Sequence, residues 1–368
     1  MKFSISAAAL SLALGTVTRA LSARALNPIL EGVLIETINH GVLLTCSDGN
    51  TSITALVDAT IDAEGSVVAP GRLFSEFVRR SGTGFLCVNV APNRSIRVSC
   101  GGSRMNLAGR NSDEFPRPGL GDCKRRVTLP HAVLREMLDK TLPMVAPADL
   151  REVLTGCYLE TRGGNATMVG MDGFRLAKFT HVCSAIPDEV TAIIPGKAAA
   201  ELQRLLKGDD DALCVLEFSD NGLHATLGDV EIYTRLIAGQ YIDYARVIPT
   251  SFATRIRVDT AALRDSVSRA AIIAKDGGSQ LIRFRLDGEA MHIEADSEIA
   301  NAHEELPIAK EGNDLTIAFN VKYVVDALKI IDTPELEFAF NSSIQPCIAT
   351  SPDQSNYTII ILPVRTSH

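Results

Sequence analysis

Three stretches of the chain share one design: SVVAPGRLFSEFVRR (66–80), AIIPGKAAAELQRLLK (192–207) and TIAFNVKYVVDALK (316–329). Each reads as a short apolar strand running straight into an amphipathic helix. Pro70, Pro195 and Asn320 hold the same turn position, at intervals of 125 residues. Proline suits a helix start because its missing N–H would have no intrahelical partner there. A self-similarity at this period means a duplicated unit.

A second block repeats upstream of each of these. KFSISAAAL (2–10), RVTLPHAVL (126–134) and RIRVDTAAL (255–263) each give a basic residue, an alternating strand and a helix anchored by Leu10, Leu134 or Leu263. Alternating apolar segments with turn signals follow, as in GVLIETINHGVLLTCSDGN (32–50), YLETRGGNATMVGMDG (158–173) and IRFRLDGEAMHIEAD (282–296). GGN and DGE read as hairpin turns. Three such units account for the chain, with turn-rich junctions at SDEFPRPGLGDCKR (112–125) and YARVIPTSFAT (244–254), so the expected domains are 1–123, 124–251 and 252–368. The first residues, MKFSISAAALSLALGTVTRALSARA, look like a secretory leader. The repeat assigns them instead to the first strand and helix of unit one.

With 46% apolar residues the chain can bury several cores, and it has no apolar run long enough to span a bilayer. The net charge of −8 argues against a polyanionic partner unless the positive charge is concentrated. It is. Two residues after the turn, the second helix of each unit carries Arg72, Lys197 or Lys322, and seven residues later Arg79, Arg204 or Lys329. Positions i and i+7 share a helical face. Leu73, Phe77, Leu202, Leu205, Val324 and Leu328 are expected on the buried side. The first helices add Arg135, Lys140, Arg264 and Arg269. A basic face on each helix suits the phosphates of duplex DNA, which carry no sequence information.

If those helices line a circle at an axis spacing of ~9 Å, six leave a hole of roughly 7 Å and twelve a hole of roughly 24 Å. Only twelve, from two chains, admit a duplex. Catalysis finds no support: PGKA (195–198) lacks the upstream glycine and following Ser/Thr of a phosphate loop, and GxSxG, HExxH and GxGxxG are missing. The eight cysteines and seven histidines show neither CxxC nor HxxxH spacing, so no metal and no cofactor is expected.

MDGFRLA (171–177), YIDYARVIP (241–249), FNVKYVVDAL (319–328) and YTIIILPVR (357–365), with the opening MKFSI and NPIL (27–30), occur in the order found in one family. The sequence resembles the bacterial DNA polymerase III β subunit, the sliding clamp family, over its whole length. The resemblance implies an α+β DNA clamp fold, two helices on antiparallel sheets per domain, in a ring-shaped head-to-tail homodimer with helices inside. It implies a cytoplasmic, non-catalytic processivity factor that encircles duplex DNA. Its partners would be the polymerase III α subunit, the clamp loader and other proteins carrying a clamp-binding motif, with no membrane. A divergent paralogue, or a three-repeat scaffold that binds peptides but not DNA, is the alternative.

Carried across by position, the family's peptide pocket would comprise Leu154, Gly173, Phe174, Arg175 and Leu176, then Ile242, Arg246 and Val247. Asn320, Tyr323, Ser343, Pro346, Leu362, Pro363, Val364 and Arg365 would complete it. Phe174 replaces a frequent His and Ile242 a frequent Pro, so this pocket is more apolar than the family pattern. Arg24 and Arg151 match loop positions that contact DNA. Met105 and Leu107 would meet Ile272 and Ile273 of a second subunit.

Overall fold

The computed structural model describes residues 1–22, 27–117, 119, 121–183, 189–352 and 356–366. The order of elements repeats three times, with one additional strand, between the helices, in the third. The first unit of the repeat has β1 (Lys2–Ser6), α1 (Ala7–Val17), β2 (Gly32–Ile38), β3 (Gly41–Ser47), β4 (Thr51–Ala63) and β5 (Ser66–Pro70). It continues with α2 (Gly71–Arg80), β6 (Phe85–Val90), β7 (Ser95–Cys100) and β8 (Ser103–Ala108). The second has β9 (Arg125–Pro130), α3 (His131–Thr141), β10 (Gly156–Arg162), β11 (Asn165–Met171) and β12 (Arg175–Val182). There follow β13 (Val190–Pro195), α4 (Gly196–Leu205), β14 (Leu213–Phe218), β15 (Gly222–Leu227) and β16 (Val230–Arg235). The third has β17 (Thr254–Asp259), α5 (Thr260–Asp276), β18 (Leu281–Asp287), β19 (Ala290–Asp296), β20 (Asn301–Pro307) and β21 (Ala309–Gly312). It ends with β22 (Leu315–Asn320), α6 (Val321–Ile330), β23 (Glu335–Phe340), β24 (Cys347–Thr350) and β25 (Tyr357–Ile361).

Leu10, Leu134 and Leu263, the expected anchors of α1, α3 and α5, are fully buried. Within the leader-like stretch, Phe3, Ile5, Leu10, Leu14 and Val17 lie in the core. Ser6 and Asp259 cap α1 and α5 by accepting from the backbone N–H three residues on. Among the second helices Leu202, Val324 and Leu328 are buried as expected, but Leu73 is 61% exposed and Phe77 and Leu205 only half-buried. On α2 the core face is Gly71, Phe74 and Val78, a phase of three and four residues that leaves Leu73 outside.

Two compact units emerge, and they do not follow the repeats. One comprises Met1–Ala132 with Arg204–Leu236, the other Val133–Gln203 with Ile237–His368. Strand pairing explains the division. In the first, β16 pairs antiparallel with β4, matching Val230 to Ala55 and Ile232 to Ile53, so the sheet runs β8-β7-β6-β1-β4-β16-β15-β14-β9. In the second, β12 pairs antiparallel with β25, matching Ala177 to Ile359 and Phe179 to Tyr357, giving β13-β10-β11-β12-β25-β24-β23-β17-β21. A separate sheet β20-β19-β18-β22 completes the second unit. At each joint, the last strand of one repeat lies on the third post-helix strand of the preceding repeat. Among the described residues, β8 and β20 hold the corresponding places in the first and third repeats and end their sheets.

Candidate peptide-binding pocket and basic helix faces

The pocket begins at the tight turn between β11 and β12. The Asp172 carboxylate accepts from the backbone N–H groups of Phe174 and Arg175 at 2.9 and 3.0 Å. Gly173 stands at φ +90°, a conformation that side chains other than glycine's rarely adopt. The turn aims Arg175 inward. Only 4% exposed, it donates to Asp172 at 2.9 Å and to Asp326 on α6 at 2.7 Å. Its guanidinium lies 4.8 Å from the centre of the Tyr323 ring, on which Phe174 stacks at 5.9 Å. Burial alone would raise the Asp326 carboxyl, but hydrogen bonds from Lys322 and Arg175 hold it down at about 2.

Behind this polar knot, Leu154, Met171, Leu176, Tyr241, Ile348 and Ile360 form an apolar cluster, with Ile242, Val247 and Leu362 half-buried against it. Tyr241 stacks on Tyr158 at 4.8 Å, and Tyr244 donates to Glu160 at 3.0 Å. The C-terminal segment is pinned by two backbone bonds, Leu362 N–H to Phe174 O and Val364 N–H to Ala318 O, both 2.8 Å. Asn320 caps α6, accepting from Lys322 N–H at 2.9 Å. Leu154 and Leu176 are buried in the apolar cluster and Arg175 in the polar knot, while Ile242, Val247 and Leu362 pack against the cluster and Phe174 and Tyr323 against each other. Arg246 is 86% exposed beside Asp243, and Arg365 is exposed at the chain end. Ser343 is exposed and Pro346 half-buried in the loop between β23 and β24.

The basic positions separate into two groups. Arg72, Arg79, Lys197, Arg204, Lys322 and Lys329 are all exposed on the second helices. The first helices depart from the expectation. Lys140 is 5% exposed, with its ammonium on Ile330 O at 2.6 Å and on Asp332 at 2.8 Å. It is not on the exposed basic face. Arg264 is half-buried and donates to Leu328 O and Ile331 O. Both cations sit at the C-terminal end of α6, where unpaired carbonyls and the helix dipole favour positive charge. Arg269 is bound by Glu304 at 2.8 Å, while Arg135 is half-buried. Arg151 pairs with Asp149, and a Cβ on Gly173 would stand 2.9 Å from its guanidinium, so it lies over the pocket turn. Arg24 lies outside the described residues. Met105 is half-buried and Leu107 buried at the β8 edge, whereas Ile272 is 68% exposed and Ile273 half-buried on α5.

Two features escaped the sequence reading. Each second helix carries an acid between its basic pair, Glu76, Glu201 or Asp326, again at intervals of 125 residues. A cavity of about 260 Å³ in the first unit lies among Ile29, Val68, Pro70, Arg72, Leu73 and Arg110; its only sequence signal is that Leu73 falls off the core phase of α2.

Three models of the DNA polymerase III beta subunit match in order: the N-terminal domain at residues 1–118, the central domain at 128–243 and the C-terminal domain at 245–365. The chain belongs to the DNA polymerase III beta subunit family. Its role is that of a DNA polymerase processivity factor. The beta sliding clamps of Staphylococcus aureus and Staphylococcus epidermidis are each 29% identical over 363 residues, covering 96% of both chains. The solved sliding clamp of Bacillus subtilis superimposes with a TM-score of 0.96 at 27% identity, covering 100% of both chains. A Pseudomonas aeruginosa clamp bound to griselimycin gives 0.94 at 27%, also over 100% of both. The fold is the three-domain clamp fold. Among the described residues, no helix is long and apolar enough to cross a membrane.

Proposed function

We propose that this chain closes with a second copy into a head-to-tail ring that encircles duplex DNA without sequence preference. The domains would be 1–123, 124–251 and 252–368. One observation carries the reading: the joint between repeats occurs twice within the chain, as β16 on β4 and β25 on β12, and the same rule leaves β8 and β20 as a complementary pair of edges. A heterologous pair closes only when another copy supplies the missing partner. Met105 and Leu107 line one edge, and Ile272 and Ile273 lie on α5, which packs against the other. The bare Leu73 and Ile272 are surface that such a joint would cover.

In this reading the exposed Arg72, Arg79, Lys197, Arg204, Lys322 and Lys329 meet phosphates, joined by Arg24, Arg135 and Arg269. Lys140 and Arg264 instead brace α6. The surface built around Arg175 would hold the linear motifs of the polymerase III α subunit, the clamp loader and other partners, because an apolar cleft with a few oriented polar groups suits an anchored peptide. The protein would act in the cytoplasm and catalyse nothing itself. Solution mass tests the joint directly. The native chain should be a dimer, and Ile272→Asp, at an exposed position, should yield a folded monomer. A native monomer across micromolar concentrations would sink the proposal. Once loaded, the dimer should stay on nicked circular duplex and slide off after linearisation. Equal loss from both would indicate ordinary electrostatic binding.

A further inference from the structure

The hairpin of β19 and β20 carries the sequence HIE (292–294) on one strand and HEE (303–305) on the other. Antiparallel pairing sets His292 opposite Glu305 and Glu294 opposite His303, so four ionisable side chains form a square on one face of the sheet. The two imidazoles stack with centroids 5.3 Å apart. Donor atoms of His292, His303 and Glu305 all lie within 4.8 Å of one another. His292 Nδ1 is buried with no hydrogen-bond partner, and the Glu305 carboxylate stands 3.7 Å away, too far to supply one. A buried nitrogen left in this way calls for a ligand. The fourth corner is occupied otherwise: Arg283 and Arg285 both turn to Glu294 at 3.6 Å. His303 Nδ1 also lies 3.8 Å from Glu294.

We propose that His292, His303 and Glu305 form a binding site for a divalent transition-metal ion of the zinc(II) type. Two imidazoles and one carboxylate are the donor set such an ion takes, with water in the fourth position. Ligand atoms at about 2.0–2.1 Å from a tetrahedral ion stand roughly 3.3 Å apart. His303 and Glu305 are exposed and can rotate to close the gap, while half-buried His292 fixes the origin. The bound ion ties the edge strand β20 to β19. That the stiffened edge helps the subunit joint rests on the ring proposed above; metal binding itself does not.

The test is calorimetric titration of the full chain with zinc(II), repeated with His303→Ala and Glu305→Gln. One ion per chain is expected, with each substitution weakening binding about tenfold or more. Cobalt(II) substitution should give ligand-field bands without sulfur charge transfer, which separates this site from the eight thiols. No binding by the native chain, equal affinity in the variants, or a thiolate band would each overturn the assignment. Because both substitutions lie at exposed positions, their melting temperatures without metal should match the native chain. Binding in a preparation that proves monomeric would leave the metal site standing and the ring refuted.

Discussion

Helices α2 and α6 occupy equivalent places in the first and third repeats and carry the same basic–acid–basic spacing, yet their acids do different work. Glu76 on α2 is solvent-facing and pairs with Arg79 and Arg80 at its own surface, which holds its carboxyl below the ordinary range. Asp326 on α6 is largely covered and receives Arg175 from the turn before β12 as well as Lys322 and Lys329 from its own helix. Beside these acids, Leu73 is bare where Tyr323 is in contact with both Phe174 and Arg175. One helical pattern thus serves surface charge in one repeat and a buried ion-pair network in another. What decides is the neighbour: a buried guanidinium turns an ordinary i,i+4 pair into a tertiary bond.

Removing that guanidinium should have the largest effect. Arg175→Ala should lower the stability of the second compact unit by about 3–5 kcal/mol in denaturant unfolding, because Asp172 stays covered without its cation and Asp326 loses the buried one of its three. A loss under about 1 kcal/mol would show the two helices to be alike after all. Acid should reveal the same difference more mildly. Asp326 is held below its unfolded value, so its contribution is fully present above about pH 4 and disappears as pH falls through about 2. That loss is worth about 2 kcal/mol, and Asp326→Asn should abolish the pH step while lowering stability throughout. Phe174→Ala should weaken a bound clamp-motif peptide about threefold to tenfold by fluorescence anisotropy, the usual worth of one aromatic pair. Smallest of all, Glu76→Gln should leave the melting temperature unmoved. It should steepen the salt dependence of DNA retention by less than about one unit of slope, because Arg79 and Arg80 lose their competitor.

Much of this was legible in the residues. The threefold strand–helix block and the six helices follow from turn chemistry and apolar spacing, which are local, whereas Arg175 was named only through the family resemblance. Lys140 and Arg264 were not, because helical periodicity assigns a cation to a face but cannot say whether that face meets solvent or the carbonyl end of another helix. Leu73 failed for a related reason: on a helix as short as α2, a shift of one position moves the buried stripe. The pair His292 and His303 escaped a search for neighbouring ligands in sequence, since their meeting depends on hairpin register. The central acid of each helix stands at a fixed spacing in the sequence but was passed over, and its burial depends on neighbours that spacing does not reveal.

The two inter-repeat joints also bear on what can be cut. A fragment spanning 124–251 would match one sequence repeat and yet leave both β12 and β16 without the strands they hydrogen-bond in the whole chain. Such stripped edges invite self-association. The middle third therefore shares a hydrogen-bonded edge with each of its neighbours, and amide exchange should find β14–β16 opening with the first repeat and β10–β13 with the third.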